Sequence, residues 1–130
     1  MTTVRIASNG SRYGQDVTIR QFGLVVDEPP TLGGDDVGPT PVEYLLASLG
    51  SCKAITLQMY ANRKGWQLGQ ITVDLTYDSR PGEEPVITAN LTIAGDLTDE
   101  QRQRLREISD RCPVHKLLTH PLQIQTQLVD

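Results

Sequence analysis

The sequence predicts an α+β fold with antiparallel sheets and a long central helix, in which the helices lie on one side of the sheet. Three observations predict this fold class. A helical pattern runs without interruption from Thr40 to Trp66, segments that alternate apolar and polar residues stand on both sides of it, and turn-rich stretches separate them. At 130 residues the chain is long enough to bury a core, and it is expected to form a single domain over residues 1–130.

The amino-terminal part predicts two or three antiparallel strands. They are the alternating segments TVRIAS and DVTIRQFGLVVDEP, with turns expected at Asn9-Gly10 and at Gly23. The next stretch, PPTLGGDDVGPT, has no periodicity and is rich in Pro, Gly and Asp, so it predicts a surface loop before the long helix. This loop is either one wall of a binding site or a simple connector.

The ends of the long helix carry recognisable capping residues. Thr40 suits the N-cap, Pro41 suits the first helical position, and Glu43 stands where it completes a capping box with Thr40. At the other end, Gly65 can adopt the left-handed conformation that terminates a helix. We therefore expect a helix of about 24 residues, roughly 36 Å long, that ends before Trp66.

One face of this helix is predicted to be buried, and it includes the first cysteine, Cys52. The residues that recur at steps of three and four are Leu45, Leu49, Cys52, Thr56 and Met59, with Leu46 and Ile55 widening the stripe. Gly50 in the middle of a helix costs about 1 kcal/mol relative to alanine, so it predicts a close contact with another helix or with a ligand.

The carboxyl-terminal half predicts a hairpin, two helices and a last strand. The segments GQITVDLTYD and VITANLTIAG alternate and are joined by the loop SRPGEEP. Thr98 and Gln101 form the capping box of a second helix, and Pro113 begins a third, short one. The last ten residues, PLQIQTQLVD, alternate again and predict a final strand.

Composition excludes several classes of function. Sixteen acidic and twelve basic residues give a net charge of −4, and aromatic residues are scarce, which argues against a nucleic-acid partner. No apolar run approaches the roughly 18 residues of a membrane span, and the amino terminus lacks the apolar core of a signal peptide. We therefore expect a cytoplasmic protein with no membrane segment, and no cofactor is indicated.

The two cysteines, Cys52 and Cys112, stand in contrasting contexts. In a reducing compartment such residues are catalytic, metal-binding or inert more often than they form a structural disulfide. Cys112 precedes Pro113 at an expected N-cap, where helix amides, Arg111 and His115 would favour a negatively charged sulfur. Cys52 lies within an apolar stripe, where loss of hydration alone would raise its pKa, so its activation requires a cation or donor from elsewhere.

Three segments of the chain resemble the OsmC/Ohr family of osmotically inducible and organic hydroperoxide resistance proteins. They are DEPPTLGG, GPTPVEYLLASLGSCKAITLQMYANRKGW and RCPVHKLL. The resemblance implies an intertwined homodimer whose long central helices pack together, with active sites at the subunit interface. It also implies a thiol peroxidase of the stress response, with peroxiredoxin-like activity on small organic hydroperoxides. In such an enzyme Cys52 attacks the peroxide, Cys112 resolves the product, and an external dithiol regenerates the pair.

The chain departs from the family pattern at two supporting positions. The resemblance implies a glutamate ten residues before the first cysteine, where this chain has Val42; the carboxylate stands one residue later, at Glu43. Closing the capping box with Thr40 is the favoured role of Glu43. The loop over residues 27–39 contains no arginine, so Arg12, and after it Arg20, are the candidate cations. These departures are typical of the broader OsmC-like group.

Two alternatives remain open at the level of the sequence. One is a non-catalytic OsmC-like domain that binds a small thiol-reactive or apolar ligand at the dimer interface, which the displaced glutamate and the missing arginine would favour. The other, ranked third, is a zinc site, since Cys2His2 is a common ligand set. Its ligands would be Cys52, Cys112, His115 and His120.

Overall fold

The computed structural model describes residues 1–129, and these residues form five strands and three α-helices. From the amino terminus the elements are β1 (Arg5–Ser8), β2 (Gln15–Ile19), β3 (Phe22–Val26), a 3-10 helix (Pro30–Leu32), α1 (Pro41–Lys64), β4 (Ile71–Asp78), β5 (Val86–Ile93), α2 (Asp99–Ser109) and α3 (Pro113–Thr119). The chain divides into two compact units, Met1–Leu45 and Leu46–Asp130, and the boundary falls within α1. The predicted α+β class is confirmed, with the described strands in two separate antiparallel sheets.

The first unit contains the three-stranded sheet β1-β2-β3, in which both strand pairs are antiparallel. The turn predicted at Asn9-Gly10 is confirmed, because Gly10 has a φ of 87° and the Asn9 side chain accepts a hydrogen bond from the Ser11 amide. The turn predicted at Gly23 is wrong. The hairpin instead turns at residues 20–21, where Arg20 adopts a left-handed φ of 52°, and Gly23 lies inside β3 opposite Thr18.

The loop over residues 27–39 is folded around the carboxylate of Asp27, which is 1% exposed. Asp27 accepts hydrogen bonds from the amides of Glu28, Asp35 and Val37 at 2.8, 3.3 and 3.3 Å. The hydrogen bond from the Glu28 amide has the largest effect on the pKa of Asp27, and it lowers this pKa. Burial raises the pKa, but the bonds from Glu28, Val37 and Asp35 together outweigh burial, and the pKa of Asp27 is lowered overall. The loop is therefore organised by one buried negative charge.

Both predicted ends of α1 are confirmed. The Thr40 amide donates to Oε1 of Glu43 at 2.8 Å, and the Glu43 amide donates to Oγ1 of Thr40 at 3.2 Å, which completes the capping box. Gly65 follows the helix with a φ of 72°. No helix among residues 1–129 is long and apolar enough to cross a membrane.

The buried face of α1 differs from the predicted stripe. Leu49 of the predicted stripe is buried, but Ile55 and Met59 are 49% and 63% exposed. The buried residues of the helix are Leu49, Gly50, Lys53, Leu57, Tyr60 and Ala61. The error arises because apolar residues surround the helix, so periodicity alone does not select one face. Gly50 does mark a close contact, but the contact is with a strand: a Cβ there would lie 2.5 Å from Cδ1 of Leu75 in β4.

The second unit packs α1 and α2 together with the hairpin β4-β5, whose antiparallel register runs from Ile71 opposite Ile93 to Asp78 opposite Val86. Its core consists of buried side chains from the two helices, with apolar residues of the hairpin packed against them. The core residues are Leu57, Tyr60, Leu105 and Ile108. The capping box of α2 at Thr98 and the start of α3 at Pro113 are both confirmed.

The predicted final strand does not form within the described part of the chain. Residues 121–129 adopt no regular structure, and Leu122, Ile124 and Leu128 are 54%, 83% and 94% exposed. Asp130, the last residue of the predicted strand, lies outside the described residues. A strand needs a neighbouring backbone to pair with, and an alternating pattern predicts the strand without showing where that neighbour is.

Candidate active site

The fold brings the two cysteines together within the second unit. Cys52 lies in the middle of α1, and Cys112 follows the short turn between α2 and α3. The two side chains are within hydrogen-bonding reach of each other, and both are free thiols. Cys112 is fully buried, whereas Cys52 is partly exposed. The 60-residue gap in the sequence is therefore closed by packing of the α2–α3 turn against the long helix.

Cys112 occupies the predicted N-cap of α3, and its sulfur accepts a hydrogen bond from the His115 amide at 3.2 Å. The expected hydrogen bond to the Cys112 sulfur is present, but it does not make Cys112 more acidic than an ordinary cysteine. Burial raises the pKa of the Cys112 thiol, and the neighbouring Cys52 raises it further, while the His115 amide and the positive charge of Lys53 lower it less. Cys112 therefore holds its proton more firmly than an ordinary cysteine does.

Lys53 is a buried cation next to Cys52 in the sequence, and the sequence pattern did not predict its burial. It follows Cys52 in α1, its side chain is almost completely buried, and its Nζ contacts three groups of the α2–α3 region. It donates to the Ser109 carbonyl oxygen at 3.0 Å and to Oδ1 of Asp110 at 3.3 Å, and it lies 3.0 Å from Nδ1 of His115. One signal could have revealed it, because Lys53 is the single charged residue between positions 44 and 62.

The partner carboxylate, Asp110, is shared between two cations. Arg106 approaches its Oδ2 at 2.8 Å from the last turn of α2, and Lys53 approaches its Oδ1 from α1. Burial raises the pKa of Asp110, but the hydrogen bonds and charges of Arg106 and Lys53 outweigh that effect, so the pKa is lowered overall. Asp110 therefore remains ionised beside Lys53 and offsets part of its positive charge.

A cavity of about 270 Å³ adjoins this ion pair. Lys53, Asp110 and His115 form its polar side. Its apolar walls are Leu49, Ile87, Ala89 and Leu118. A cavity with one charged side and apolar walls can admit a small organic molecule, and neither cysteine belongs to its lining.

The predicted supporting residues Glu43, Arg12 and Arg20 all belong to the first unit. Glu43 closes the capping box of α1, as expected. The guanidinium of Arg12 lies over the ring of Tyr13 at 5.3 Å, and that of Arg20 lies over the ring of Phe22 at 5.1 Å. Each therefore has a local structural contact, and a part for any of them in the chemistry of the cysteines stays a prediction.

The zinc alternative finds no ligand set among residues 1–129, since no three His, Cys, Asp or Glu residues there are arranged to hold a metal ion. His115 directs its Nδ1 at Lys53, and Nδ1 of His120 lies 2.9 Å from the Lys116 carbonyl oxygen. The two histidines therefore have other partners.

Solved structures with the same fold come from several bacteria. A candidate osmotic-stress-induced and detoxification response protein from Psychrobacter arcticus has a TM-score of 0.79 at 21% identity, over 93% of this chain and 90% of its own. An OsmC-like protein from Mycoplasma pneumoniae has a TM-score of 0.78 at 18% identity, over 91% and 86%. The organic hydroperoxide resistance protein OhrB of Bacillus subtilis has a TM-score of 0.63 at 16% identity, over 92% and 90%.

At these identities the structural likeness shows the fold alone, and no curated protein sequence matches the chain. The family assignment comes from the sequence pattern of the OsmC-like proteins, which matches residues 33–127. This range contains α1, the hairpin and both cysteines. The chain therefore belongs to the OsmC-like family.

Proposed function

We propose that this protein is a thiol peroxidase that reduces small organic hydroperoxides through Cys52 and Cys112. The observation that carries the proposal is the juxtaposition of two free thiols from distant parts of the sequence. A peroxidase needs a thiolate to attack the peroxide, and a second thiol to trap the sulfenic acid before it is oxidised further. The name of OhrB of Bacillus subtilis, a hydroperoxide resistance protein, supports the substrate class and a role in the stress response.

The proposed reaction has three steps. The Cys52 thiolate attacks the terminal peroxide oxygen, so that an S–O bond forms, the O–O bond breaks, and the alkoxide takes up a proton to leave as an alcohol. Cys112 then attacks the sulfenic sulfur of Cys52, so that an S–S bond forms, the S–O bond breaks, and the departing hydroxide combines with the Cys112 proton as water. An external dithiol finally reduces the disulfide and becomes oxidised itself.

The burial of the two thiols supports this division of roles. A hydroperoxide approaching from solvent reaches the partly exposed Cys52 before the fully buried Cys112. The raised pKa of Cys112 keeps that thiol protonated while Cys52 attacks. Cys112 is therefore suited to the second step, in which the partner sulfur is already bonded to oxygen.

We further propose that the whole chain acts as a single OsmC-like domain in a cytoplasmic homodimer. Two surfaces support the dimer, because both expose large apolar side chains in the single chain. One is the face of α1 that carries Ile55 and Met59. The other is the carboxyl-terminal segment 121–129, whose alternating residues lack a strand partner among residues 1–129. A second copy of the chain would cover the first and pair with the second.

Consumption of tert-butyl hydroperoxide in the presence of dithiothreitol tests the peroxidase proposal. Wild type is expected to turn over and Cys52→Ser to be inactive. When dithiothreitol is left out, Cys112→Ser is expected to complete one attack and stop at a Cys52 sulfenic acid that dimedone labels. Equal rates in all three proteins would exclude the cysteine mechanism. Saturable binding of the hydroperoxide without turnover would instead indicate the non-catalytic ligand-binding domain. A kcat/KM of about 10⁴ M⁻¹s⁻¹ or more would exclude that second function.

A further inference from the structure

Lys53 is a cation in an unusual place, since lysine is almost never fully buried unless it is paired. Only 5% of its surface is exposed, and its Nζ lies at hydrogen-bonding distance from the Ser109 carbonyl, the Asp110 carboxylate and Nδ1 of His115. An ammonium group has three N–H donors and no acceptor, so these three contacts use all of its donors. The three contacts therefore match the number of donors of a lysine ammonium group.

The three acceptors lie on both sides of Cys112 in the sequence. Ser109 and Asp110 precede the cysteine, and His115 follows it. The backbone amide of the same His115 donates to the Cys112 sulfur. The ammonium group of Lys53 in α1 thus contacts both the turn that leads to Cys112 and the first turn of α3, whose amide binds the Cys112 sulfur. Lys53 also follows Cys52 directly in the sequence.

We propose that Lys53 is the positioning residue of the dithiol: its ammonium group fixes the α2–α3 turn against α1 and supplies the positive charge that favours ionisation of Cys112 as the disulfide closes. The inference rests on the proposed peroxidase function, and it addresses the second step of that reaction. In that step Cys112 must lose its proton while the S–S bond forms. A fully buried thiol with no cation near it would lose that proton with difficulty.

The charges around Cys112 are consistent with this role. The neighbours that bear on its ionisation are Cys52 and Lys53 from α1, Asp110 from the turn, His115 from α3, and Arg106 of α2 through its bond to Asp110. Burial and Cys52 raise the pKa of Cys112, while the charge of Lys53 acts in the opposite direction. Asp110 offsets part of the Lys53 charge, so the strength of the effect is set by this ion pair.

The first test measures the ionisation of Cys112 without any peroxide. In a Cys52→Ser background Cys112 is the single thiol, and its thiolate is followed by ultraviolet absorbance against pH, with the variant lacking both cysteines as the blank. Lys53→Met is expected to move the titration midpoint to higher pH, because the favourable charge is removed. Asp110→Asn is expected to move it to lower pH, because the charge of Lys53 is then less compensated.

The opposite shifts of the Cys112 titration midpoint distinguish an electrostatic role of Lys53 from a structural one. If the substitutions only loosened the turn, the midpoint would shift in the same direction in both variants. Lys116→Met is the matched control, because Lys116 lies on α3 and is exposed, and no change is expected. If Lys53→Met does not fold, the downward shift in Asp110→Asn still tests the proposal. An unchanged midpoint in Asp110→Asn, or a shift in the same direction as in Lys53→Met, overturns it.

The second test uses the complete dithiol and separates the two chemical steps. After one equivalent of tert-butyl hydroperoxide, Lys53→Met is expected to form the Cys52 sulfenic acid and to retain it longer than wild type, as increased dimedone labelling. Lys53→Arg, which keeps the positive charge, is expected to restore disulfide formation in part. Labelling that decays as fast as in wild type overturns the role of Lys53 in closing the disulfide. Wild type that forms neither the Cys52 sulfenic acid nor the Cys52–Cys112 disulfide contradicts the peroxidase proposal instead, and leaves the absorbance result standing.

Discussion

Nζ of Lys53 lies 3.0 Å from Nδ1 of His115, and this contact determines which ring nitrogen of His115 can carry a proton. Because an ammonium group only donates hydrogen bonds, Nδ1 must act as the acceptor, and the proton of a neutral imidazole stands on Nε2. The same histidine donates its backbone amide to the Cys112 sulfur. Side chain and backbone of one residue thus join the buried cation to the buried thiol.

Replacing His115 by alanine is expected to destabilise the protein. The change removes one of the three acceptors of a buried ammonium group, and an unpaired buried donor costs about 1–3 kcal/mol. Urea unfolding monitored by circular dichroism measures the loss. His120→Ala is the control, because His120 is exposed and its change is expected to stay within about 0.5 kcal/mol. Equal stability of the two variants would show that the contact with Lys53 contributes nothing.

The core of the second unit is expected to depend on Leu57. Its side chain is 0% exposed and contacts the buried residues of α2, so Leu57→Ala leaves a cavity and should cost about 2–5 kcal/mol. Val86→Ala, beside the loop that joins β4 and β5 and 55% exposed, serves as the control and should cost less than about 1 kcal/mol. The free energy of unfolding in urea gives both values. A cost below that of Val86→Ala would contradict the assignment of this core.

The contact between Gly50 and Leu75 predicts a strong coupling between these two positions. Gly50→Ala alone should destabilise the protein or leave it unchanged, because the new Cβ meets Cδ1 of Leu75 and offsets the gain in helix propensity. In a Leu75→Ala background the same change should stabilise it, by up to about 1 kcal/mol. A double-mutant cycle by thermal unfolding measures the difference. Additive effects would show that the close approach is easily relieved.

Asp27 is expected to make the loop over residues 27–39 sensitive to acid. Its pKa is lowered in the folded protein, first by the Glu28 amide, so its contribution to stability is fully present above the ordinary value of about 3.9 and is lost as the pH falls through the lowered value. The protection of the Asp35 and Val37 amides against hydrogen exchange, measured relative to the intrinsic rate at each pH, should therefore fall at low pH. In Asp27→Asn the exchange should be fast at neutral pH as well, and slow exchange there would contradict the role of the carboxylate.

The proposed homodimer predicts the effect of a charge on the exposed face of α1. Ile55 is 49% exposed in the single chain, and we expect Ile55→Asp to shift the protein from dimer to monomer, because the buried carboxylate would have no partner. Sedimentation velocity at micromolar concentration shows the state directly. Lys64→Asp at the end of the helix is the matched control and should remain dimeric. A wild-type monomer would contradict the proposal.

Local signals of the sequence predicted most of the elements but not the faces they bury. The capping boxes at Thr40 and Thr98 act through neighbouring residues, so they could be recognised without knowledge of the fold. The buried face of α1 depends on which elements pack against it, and that choice is made by residues 40 or more positions away, such as Leu105. The final strand was predicted and is absent over residues 121–129, since pairing depends on a partner backbone.

Some features of the candidate site were likewise predicted from the sequence, and others depend on the whole fold. The pair Cys52 and Cys112 was predicted from the family resemblance, and the N-cap position of Cys112 from the proline that follows it. Lys53 was not predicted, because a lysine in a helix is usually a solvated side chain and its burial depends on the distant Asp110 and His115. The protonation of Cys112 was misjudged for a related reason, since burial is a property of the whole fold.

The unequal exposure of the two cysteines determines which of them an external reductant can attack when the proposed enzyme is regenerated. Once the disulfide has formed, an incoming thiolate can approach the partly exposed sulfur of Cys52, while Cys112 is fully enclosed. In the proposed mechanism the mixed disulfide with the reductant would therefore form on Cys52, and Cys112 would be the leaving group. A leaving thiolate departs faster when it is stabilised, so the ammonium beside it would assist reduction of the enzyme as well as its oxidation.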